Sequence, residues 1–418
     1  MKNVFRKVAA VTLAAAMMVP FAGCSSNNGS SNADSSAADN SSAADNSSTA
    51  SGGTLKIGGI GPITGGAAVY GIAVKNAAEL AVEEINANGG INGMTVEFKF
   101  EDDVHDAEKS VNAYNSLKDW GMQILMGTVT STPCQAVVEE THNDNMFQLT
   151  PSGSAVESIK YDNAFRVCFS DPNQGVASAQ YIGENKLAEK VAVIYNSSDV
   201  YSTGIYEKFN AEAANQPFEV VAAEAFTEDR KTDFKTQLTK AKEAGADMVF
   251  LPIYYSEASL ILQQAKDMDY APKFFGCDGM DGILDIENFD VSLAEGLMLL
   301  TPFAADATDD ATVNFVKAYT EKYGDTPIQF AADAYDAIYI IKAAAEKANI
   351  TADMSVSDMC DALKTAMTEI TVDGLTGAGM TWSADGEPSK APKAVKIVVT
   401  ETTDEDGNTV KTGSYAAM

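Results

Sequence analysis

Short apolar runs alternate with helical segments from Thr54 onward. The β-rich runs that we predict as strands span residues 55–60, 96–101, 124–127, 147–150, 165–169, 191–195, 220–226, 248–253, 273–276 and 297–300. Helical segments are predicted at residues 73–86, 111–118, 174–184, 234–244, 258–266, 312–323 and 331–348. This alternation predicts an α/β fold in which parallel sheets carry helices on both faces. About ten strands exceed one ordinary sheet, which favours two lobes.

The end of the chain has a different pattern. Two further strand candidates, 394–400 and 409–414, flank the turn-forming segment 404–408, which reads Asp-Glu-Asp-Gly-Asn. This arrangement predicts a terminal β-hairpin. The segment contains a nominal Asp-x-Asp-Gly sequence, but the other ligands of a calcium-binding loop are missing, so we interpret it as a turn.

Two polar turns follow neighbouring strands within residues 123–155. The first strand ends at Gly127 and leads into a Thr/Ser-rich turn that contains Ser131, whereas the second ends at Thr150 and is followed by Ser152 and Ser154. Both turns are therefore expected at the carboxyl ends of parallel strands, where open α/β sheets bind ligands. Backbone N–H groups and hydroxyls at a helix start favour an anion such as a carboxylate. The alternative is that these serines only cap helices.

The net charge of the 418-residue chain is -30, from 59 acidic and 29 basic side chains. So acidic a surface repels phosphate backbones, which argues against a nucleic-acid partner.

The two histidines, His105 and His142, lie in polar segments that we expect to be exposed, and we assign them no role. Without a Cys-x-x-Cys pair, neither a metal site nor another cofactor is indicated. The sequence leaves open whether disulfides form among the four later cysteines, which are Cys134, Cys168, Cys277 and Cys360.

The N-terminal segment differs from the remainder of the chain. Basic residues precede an apolar run at 8–21 that is too short to span a membrane, and Phe-Ala-Gly-Cys follows, ending at Cys24. This pattern resembles a bacterial lipoprotein signal peptide, which implies removal of residues 1–23 and a lipid on Cys24; an ordinary secretory signal is the alternative. Residues 24–53 are mostly Ser, Ala, Asn, Asp and Gly, so we expect an unfolded tether. The expected location is the extracytoplasmic face of a bacterial cell membrane.

A series of motifs follows in order along residues 55–382. The motifs are Ile57-Gly58-Gly59-Ile60-Gly61-Pro62-Ile63-Thr64-Gly65, Tyr70-Gly71, AVEEINANGGING at 81–93, Glu101-Asp102-Asp103, the turn at 127–131, Thr150-Pro151-Ser152, Arg166 with Asp171 and Gln174-Gly175, and a loop from Tyr201 to Gly204. In this order they resemble the leucine/isoleucine/valine-binding proteins, which are substrate-binding proteins of branched-chain amino-acid ABC importers. The resemblance implies the type I periplasmic-binding fold, with two doubly wound lobes joined by a three-crossing hinge.

The resemblance also implies a ligand site. Ser131, Ser152 and Ser154 match turn positions that bind the α-carboxylate and the ammonium of an amino acid. Asp278 matches a position that is usually Glu and pairs with the ammonium. The residues that match aromatic positions lining the pocket or closing over the ligand are Tyr70, Tyr201, Tyr254 and Phe330.

Elementary chemistry is compatible with these assignments. An amino-acid zwitterion needs N–H and O–H donors for its carboxylate, an acidic group for its ammonium and apolar walls for its side chain. Singly, Asp278 is typical of a solvated surface acid, and the aromatic residues are typical of core or rim positions. The matched spacing favours the ligand-binding role instead. Asp278 has one methylene fewer than Glu, so the ligand must sit deeper or a water must bridge.

We therefore expect lobe 1 to comprise residues 54–171 and 302–381, and lobe 2 to comprise 172–301 and 382–418. The chain is expected to be a monomeric binding protein, not an enzyme, that captures a branched-chain or aliphatic amino acid and delivers it to an ABC permease and its ATPase. The alternative is a sensory module of the same fold that binds another small amino acid, an amide or a carboxylate. A hydrolase is disfavoured because no Gly-x-Ser-x-Gly elbow occurs.

Overall fold

The structure is a computed structural model that describes residues 52–403 and 407–418. The predicted leader, Cys24, nearly all of the tether and residues 404–406 of the terminal turn lie outside the described residues. The described strands form two sheets, each flanked by helices.

Five parallel strands form the first sheet within residues 52–403. They are β1 (Thr54–Gly61), β2 (Thr95–Asp102), β3 (Ile124–Gly127), β4 (Gln148–Thr150) and β5 (Ala164–Arg166), in the order β2-β1-β3-β4-β5. All residues of β3, β4 and β5 are buried, as expected for parallel strands that are covered on both faces. The two Ser/Thr-rich turns, which follow the neighbouring parallel strands β3 and β4, therefore lie side by side at the carboxyl ends of this sheet's strands.

The second sheet has seven strands in the described part of the chain. They are β6 (Lys190–Asn196), β7 (Glu219–Phe226), β8 (Met248–Leu251), β9 (Lys273–Gly276), β10 (Met298–Thr301), β11 (Lys393–Thr403) and β12 (Thr409–Ala417), in the order β12-β11-β10-β9-β8-β6-β7. Strands β6 to β10 pair in parallel, whereas β11 is antiparallel to both β10 and β12. The predicted terminal hairpin thus extends the second sheet.

Ten α-helices cover the sheets in the described residues. They are α1 (Ala68–Ala87), α2 (Ala107–Trp120), α3 (Ser131–Asn143), α4 (Asp171–Glu184), α5 (Val200–Ala213), α6 (Lys235–Glu243), α7 (Tyr255–Asp267), α8 (Asp310–Tyr323), α9 (Gln329–Lys347) and α10 (Val356–Met367). No helix among them combines the length and the apolar composition needed to cross a membrane.

Local sequence explains several helix ends. The side chains of Asp106, Asp309 and Ser355 accept N–H groups at the starts of α2, α8 and α10. Gly121 and Gly324 end α2 and α8 in the left-handed conformation, with φ of 91° and 87°, which glycine adopts without a Cβ clash.

The chain passes between the two sheets three times. Strand β5 is followed by α4, which packs on α5 beside the second sheet; after β10, helices α8 and α9 pack on α1 beside the first sheet; and after α10 the chain returns as β11. Two α/β units joined by three crossings confirm the predicted fold class. All ligand-site residues predicted from the sequence lie in the described part of this fold.

Candidate ligand-binding site

Asp278 lies in the turn that follows β9, at the carboxyl end of the second sheet's parallel strands. Its side chain is only 4% exposed, and Oδ1 accepts a hydrogen bond of 2.7 Å from the hydroxyl of Tyr201. Its backbone N–H donates to Oε1 of Gln174 at 3.1 Å. Burial raises the pKa of the Asp278 carboxyl to about 7, and the hydrogen bond from the Tyr201 hydroxyl limits that rise. The turn therefore presents a buried carboxyl group whose ionised form a nearby cation would stabilise.

Four aromatic rings from both lobes surround this acid. The rings of Tyr70 and Phe330 stack with centroids 4.1 Å apart, and those of Tyr201 and Tyr254 stack at 4.9 Å. Tyr70 also meets Tyr254 edge-on at 5.5 Å. These contacts join first-lobe helices α1 and α9 to the second-lobe residues. The result is an apolar wall that bridges the two lobes.

The two polar turns of the first lobe are tied to each other. Ser152 Oγ donates to the carbonyl of Val129 at 2.6 Å, and Ser131 Oγ accepts from the N–H of Ala155 at 3.2 Å. Neither serine caps a helix, since the cap position of α3 is Thr130 and that of the short 3-10 helix Val156–Ile159 is Ala155. The alternative that these serines serve only as helix caps is therefore wrong for Ser131 and Ser152.

Three further hydrogen bonds hold the lobes together around the site. The hydroxyl of Tyr70 donates to the carbonyl of Gly279 at 2.6 Å, and Nε2 of Gln329 donates to the carbonyl of Asp278 at 2.8 Å. Thr132 Oγ1 donates to Asp199 Oδ1 at 3.1 Å. First-lobe side chains are thus hydrogen-bonded to the turn that carries Asp278. The two lobes are in contact, so the structure represents a closed form.

These residues enclose one small cavity. Its volume is about 10 Å³, roughly the room needed for one water. The residues that line it are Tyr70, Val129, Thr130, Ser131, Ser152, Tyr201, Tyr254, Asp278, Gly279 and Phe330. Because an amino acid is larger than a water, its entry requires the lobes to separate or the aromatic rings to rotate.

The profile of a family described as periplasmic binding protein matches residues 54–404. The chain belongs to that family. Because the family consists of binding proteins, the assignment confirms the expectation that the chain is not an enzyme.

Named relatives of this periplasmic binding protein support a narrower grouping. The Leu/Ile/Val-binding protein homolog 3 of Brucella melitensis is 31% identical over 298 residues, which cover 70% of this chain and 79% of that protein. A leucine-, isoleucine-, valine-, threonine- and alanine-binding protein of Pseudomonas aeruginosa is 29% identical over 290 residues, covering 69% of this chain and 77% of that protein.

A solved structure has the same fold as this periplasmic binding protein. The branched-chain amino acid transporter substrate binding protein LivJ of Streptococcus pneumoniae, in complex with isoleucine, superposes with a TM-score of 0.74 and 26% identity. The match covers 87% of this chain and all of LivJ. The resemblance seen in the sequence motifs is thereby confirmed.

Seven of the eight predicted ligand-site residues of this periplasmic binding protein line the one cavity. The eighth, Ser154, is buried but is not among the lining residues. Val129, Thr130 and Gly279 line the cavity without having been predicted as site residues. Thr130 and Gly279 adjoin Ser131 and Asp278, and Val129 lies in the same turn as Ser131, so the turn as a whole was the available signal. The ligand-binding roles themselves stay predictions.

Two sequence expectations near the site are wrong. Tyr201 lies in the first turn of α5 and not in a loop; Tyr201, Ile205 and Phe209 form its buried face at a spacing of four residues. His105 is half-buried and not exposed, with Nδ1 2.9 Å from Thr130 Oγ1 and its ring edge-on to Tyr254 at 5.4 Å. His142 is exposed, as expected.

The cysteines of the described region are separate buried thiols, which settles the pairing that the sequence left open. Burial raises the pKa of Cys168 and Cys277 well above the ordinary thiol value, so both are neutral near the site. No group of three or more metal-ligating side chains comes together in residues 52–403 and 407–418.

Proposed function

We propose that this protein captures a branched-chain or other aliphatic amino acid outside the cytoplasm and delivers it to an ABC importer. The observation that carries the proposal is the small cavity between the lobes that Asp278, the two serine-containing turns and the aromatic rings line together. The names of the Brucella and Pseudomonas relatives and the isoleucine in the Streptococcus LivJ structure support the same ligand class.

Each chemical part of a zwitterion has a counterpart at this site. The Asp278 carboxylate suits the ammonium, and the turns that contain Ser131 and Ser152 offer donors at the carboxyl ends of β3 and β4 for the carboxylate. The rings of Tyr70 and Phe330 offer an apolar surface to an aliphatic side chain.

We propose that ligand binding stabilises the closed form. The hydrogen bonds from Tyr70 to Gly279 and from Gln329 to Asp278 join the lobes at the site itself. A ligand held between the same lobes adds contacts that only the closed form makes, so it shifts the equilibrium by its difference in affinity for the two forms. A permease that recognises the closed form would then receive loaded protein. The proposed lobe boundaries are residues 54–171 with 302–381, and 172–301 with 382–418.

We also propose that a lipid on Cys24 anchors the protein, as a monomer, to the outer face of the cell membrane. The support is the sequence pattern around Cys24 and the polar composition of residues 25–53. Incorporation of a labelled fatty acid into the wild-type protein, and its loss in Cys24→Ala, would establish the anchor. Release of the wild-type protein into the medium without label would refute it.

Calorimetric titration of refolded, ligand-free protein with the twenty amino acids tests the main proposal. We expect tight binding of leucine, isoleucine or valine with one ligand per chain. In Asp278→Ala the binding free energy should fall by several kcal/mol, because the ammonium loses its buried charge partner. A panel in which no amino acid binds the wild-type protein would refute the function.

A further inference from the structure

Buried polar atoms that lack hydrogen-bond partners are concentrated around the turn of Asp278. Among the described residues, such atoms include both carboxylate oxygens of Asp171, Oγ of Ser154, Nε2 of Gln174 and Oε1 of Gln329. Each of these four side chains is at most 1% exposed. We call them the polar cluster. A buried polar group without a partner is costly, so a concentration of five such atoms calls for an explanation.

Backbone and side-chain contacts connect the polar cluster to Asp278. Gln174 and Gln329 bond directly to the backbone of Asp278, at 3.1 and 2.8 Å. Asp171 lies three residues before Gln174 in α4 and thus on the same helix face. Its N–H donates to the carbonyl of Ser154 at 2.9 Å.

Asp171 also packs against the helix that carries Tyr201. A Cβ added to Gly204 of α5 would lie 3.2 Å from both Cβ and Oδ2 of Asp171. Tyr201, one turn earlier in α5, donates its hydroxyl proton to Asp278. Asp171 and Asp278 are therefore held by the same two helices, α4 and α5.

The polar cluster is rich in acceptors. An ionised Asp171 offers only acceptors, and Oε1 of Gln329 is another, whereas Gln174 Nε2 is a donor and Ser154 Oγ can serve either way. The guanidinium of Arg166 makes no hydrogen bond to the side chains of the polar cluster: Nη1 donates to the carbonyls of Gly153 and Ser154, and Nη2 lies 3.3 Å from Glu387. Its Nε and Nη2 are themselves buried without a hydrogen-bond acceptor. Burial raises the pKa of Asp171, and the positive charge of Arg166 lowers that pKa without cancelling the effect of burial. The complementary group is one with several N–H donors and a positive charge.

We propose that Asp171 is a second carboxylate partner for the ligand's ammonium group, beside Asp278, with Ser154 and Gln174 completing its surroundings. This inference rests on the proposed function and deepens it. The closed cavity holds only about 10 Å³ and is lined by Asp278 but not by the polar cluster, so a ligand must enlarge it to reach Asp171. The unpaired acceptors of the polar cluster, behind the Asp278 turn, mark a favourable direction for that enlargement.

Two carboxylates at one end of the site define the ligand class. A ligand must carry a cationic amine there, so α-amino acids bind and carboxylates of the same skeleton without an amine are repelled. The competing explanation is that Asp171 is simply protonated in the closed form and never meets the ligand; burial does raise the pKa of its carboxyl well above the ordinary value.

The test compares L-leucine with 4-methylpentanoate, its skeleton without the amine, by calorimetric titration of the purified full-length protein. The wild-type protein should bind L-leucine and not 4-methylpentanoate. In Asp171→Asn the Kd for L-leucine should rise at least tenfold, while binding of 4-methylpentanoate should be no weaker than before. The ligand-free variant should unfold at or above the wild-type temperature, since a buried carboxylate without a partner has been removed. If Asp171→Asn does not fold, Asp171→Ser, which leaves room for a water, takes its place.

Asp103→Asn is the matched control. Asp103 is also wholly buried with one carboxylate oxygen unpaired, but it lies after β2 and makes no hydrogen bond to the polar cluster. Its Kd for L-leucine should stay within twofold of wild type. An Asp171→Asn protein that binds L-leucine within twofold of wild type, an equal loss in Asp103→Asn, or wild-type binding of 4-methylpentanoate as tight as that of L-leucine would each overturn the inference. Absence of amino-acid binding to the wild-type protein would overturn the proposed function as well.

Discussion

The hydroxyl of Tyr201 sits between the carboxylate and the backbone of the turn that carries Asp278. It donates to Asp278 Oδ1 at 2.7 Å and accepts from the N–H of Gly279 at 2.9 Å. The Tyr201 hydroxyl therefore orients the Asp278 carboxylate and also holds the backbone of the turn at Gly279. This relationship makes Tyr201 a positioning residue for Asp278 as well as a wall of the cavity.

Replacing Tyr201 by Phe removes this hydroxyl and keeps the ring. A hydrogen bond to a charged group contributes about 1.5–3 kcal/mol, so the affinity for leucine should fall by roughly 10- to 100-fold. Tyr206→Phe is the control, since Tyr206 lies on the same helix and stacks on Tyr195 at 4.0 Å, away from the cavity. Calorimetric titration of both variants checks the prediction, and equal affinities in the two would contradict it.

Ligand affinity should fall as the pH is lowered. Burial raises the pKa of Asp278 to about 7, and the nearby charge of Asp333 acts in the same direction. Below pH 7 the carboxyl of the ligand-free closed form is protonated, and an incoming ammonium must displace that proton. Affinity should therefore weaken by up to about tenfold per pH unit from pH 7 to pH 5, with proton release on binding.

Titrations with leucine at pH 5, 6, 7 and 8 measure this dependence. Asp278→Asn should bind weakly at every pH and show a flatter profile, because its amide does not titrate. A wild-type Kd that is equal at pH 5 and pH 8 would show that the Asp278 proton is not linked to binding.

Sequence reasoning reached the fold and the turns of the site because both depend on local patterns. Apolar runs end at Gly127, Thr150 and Gly276, so the polar residues that follow them had to gather at the carboxyl ends of parallel strands. The sequence prediction put Tyr201 in a loop because it rests, for the segment from Tyr201 to Gly204, on a match to a family motif and not on helical periodicity; the structure has this segment in α5. Gly204 is needed where α5 approaches Asp171.

Other features of the site depend on contacts that no local pattern records. His105 reaches the cleft because its backbone adopts a φ of 57° and its ring meets Thr130 and Tyr254, which are distant in sequence. The unpaired oxygens of Asp171 and the size of the cavity depend on how the lobes and helices meet. Such features follow from tertiary packing, which the periodicity of a single segment does not contain.

Gly279 leaves no room for a side chain. A Cβ there would lie 2.7 Å from the hydroxyl of Tyr201 and 3.0 Å from the carbonyl oxygen of Ile253, and a backbone carbonyl cannot rotate away. Gly279→Ala should displace the Asp278 turn and weaken leucine binding about tenfold or more, from an overpacking cost of about 1–3 kcal/mol. Calorimetric titration together with circular dichroism would show weak binding by a folded protein.

The control for this substitution is Gly66→Ala. Gly66 lies in the loop before α1, and a Cβ there would meet only Ser256 Oγ, at 3.8 Å, which is an ordinary contact. Its affinity should stay near that of wild type. Unchanged leucine binding by Gly279→Ala would show that the turn tolerates displacement and that its geometry does not govern affinity.

A buried ion pair fastens the third crossing to the first lobe. Nζ of Lys390 lies 2.6 Å from Asp333 Oδ1, and the two side chains are only 1% and 3% exposed. The same ammonium donates to the carbonyl of Val167, in the first crossing, at 3.1 Å. Lys390→Met should destabilise the protein by about 3–5 kcal/mol, because it leaves Asp333 buried without its cation. Chemical denaturation of the ligand-free protein measures the change.

A double variant separates loss of the charge pair from loss of packing, through the sign of the change in the free energy of unfolding relative to Lys390→Met. Lys390→Met with Asp333→Leu removes both charges, so it should recover part of the stability lost in Lys390→Met alone. Lys364→Met is the surface control: its partners Asp162 and Asp361, at 3.2 and 3.1 Å, are largely exposed, so the change should be within about 1 kcal/mol. If Lys390→Met and Lys364→Met lowered stability equally, the buried pair would not be what holds the crossings together.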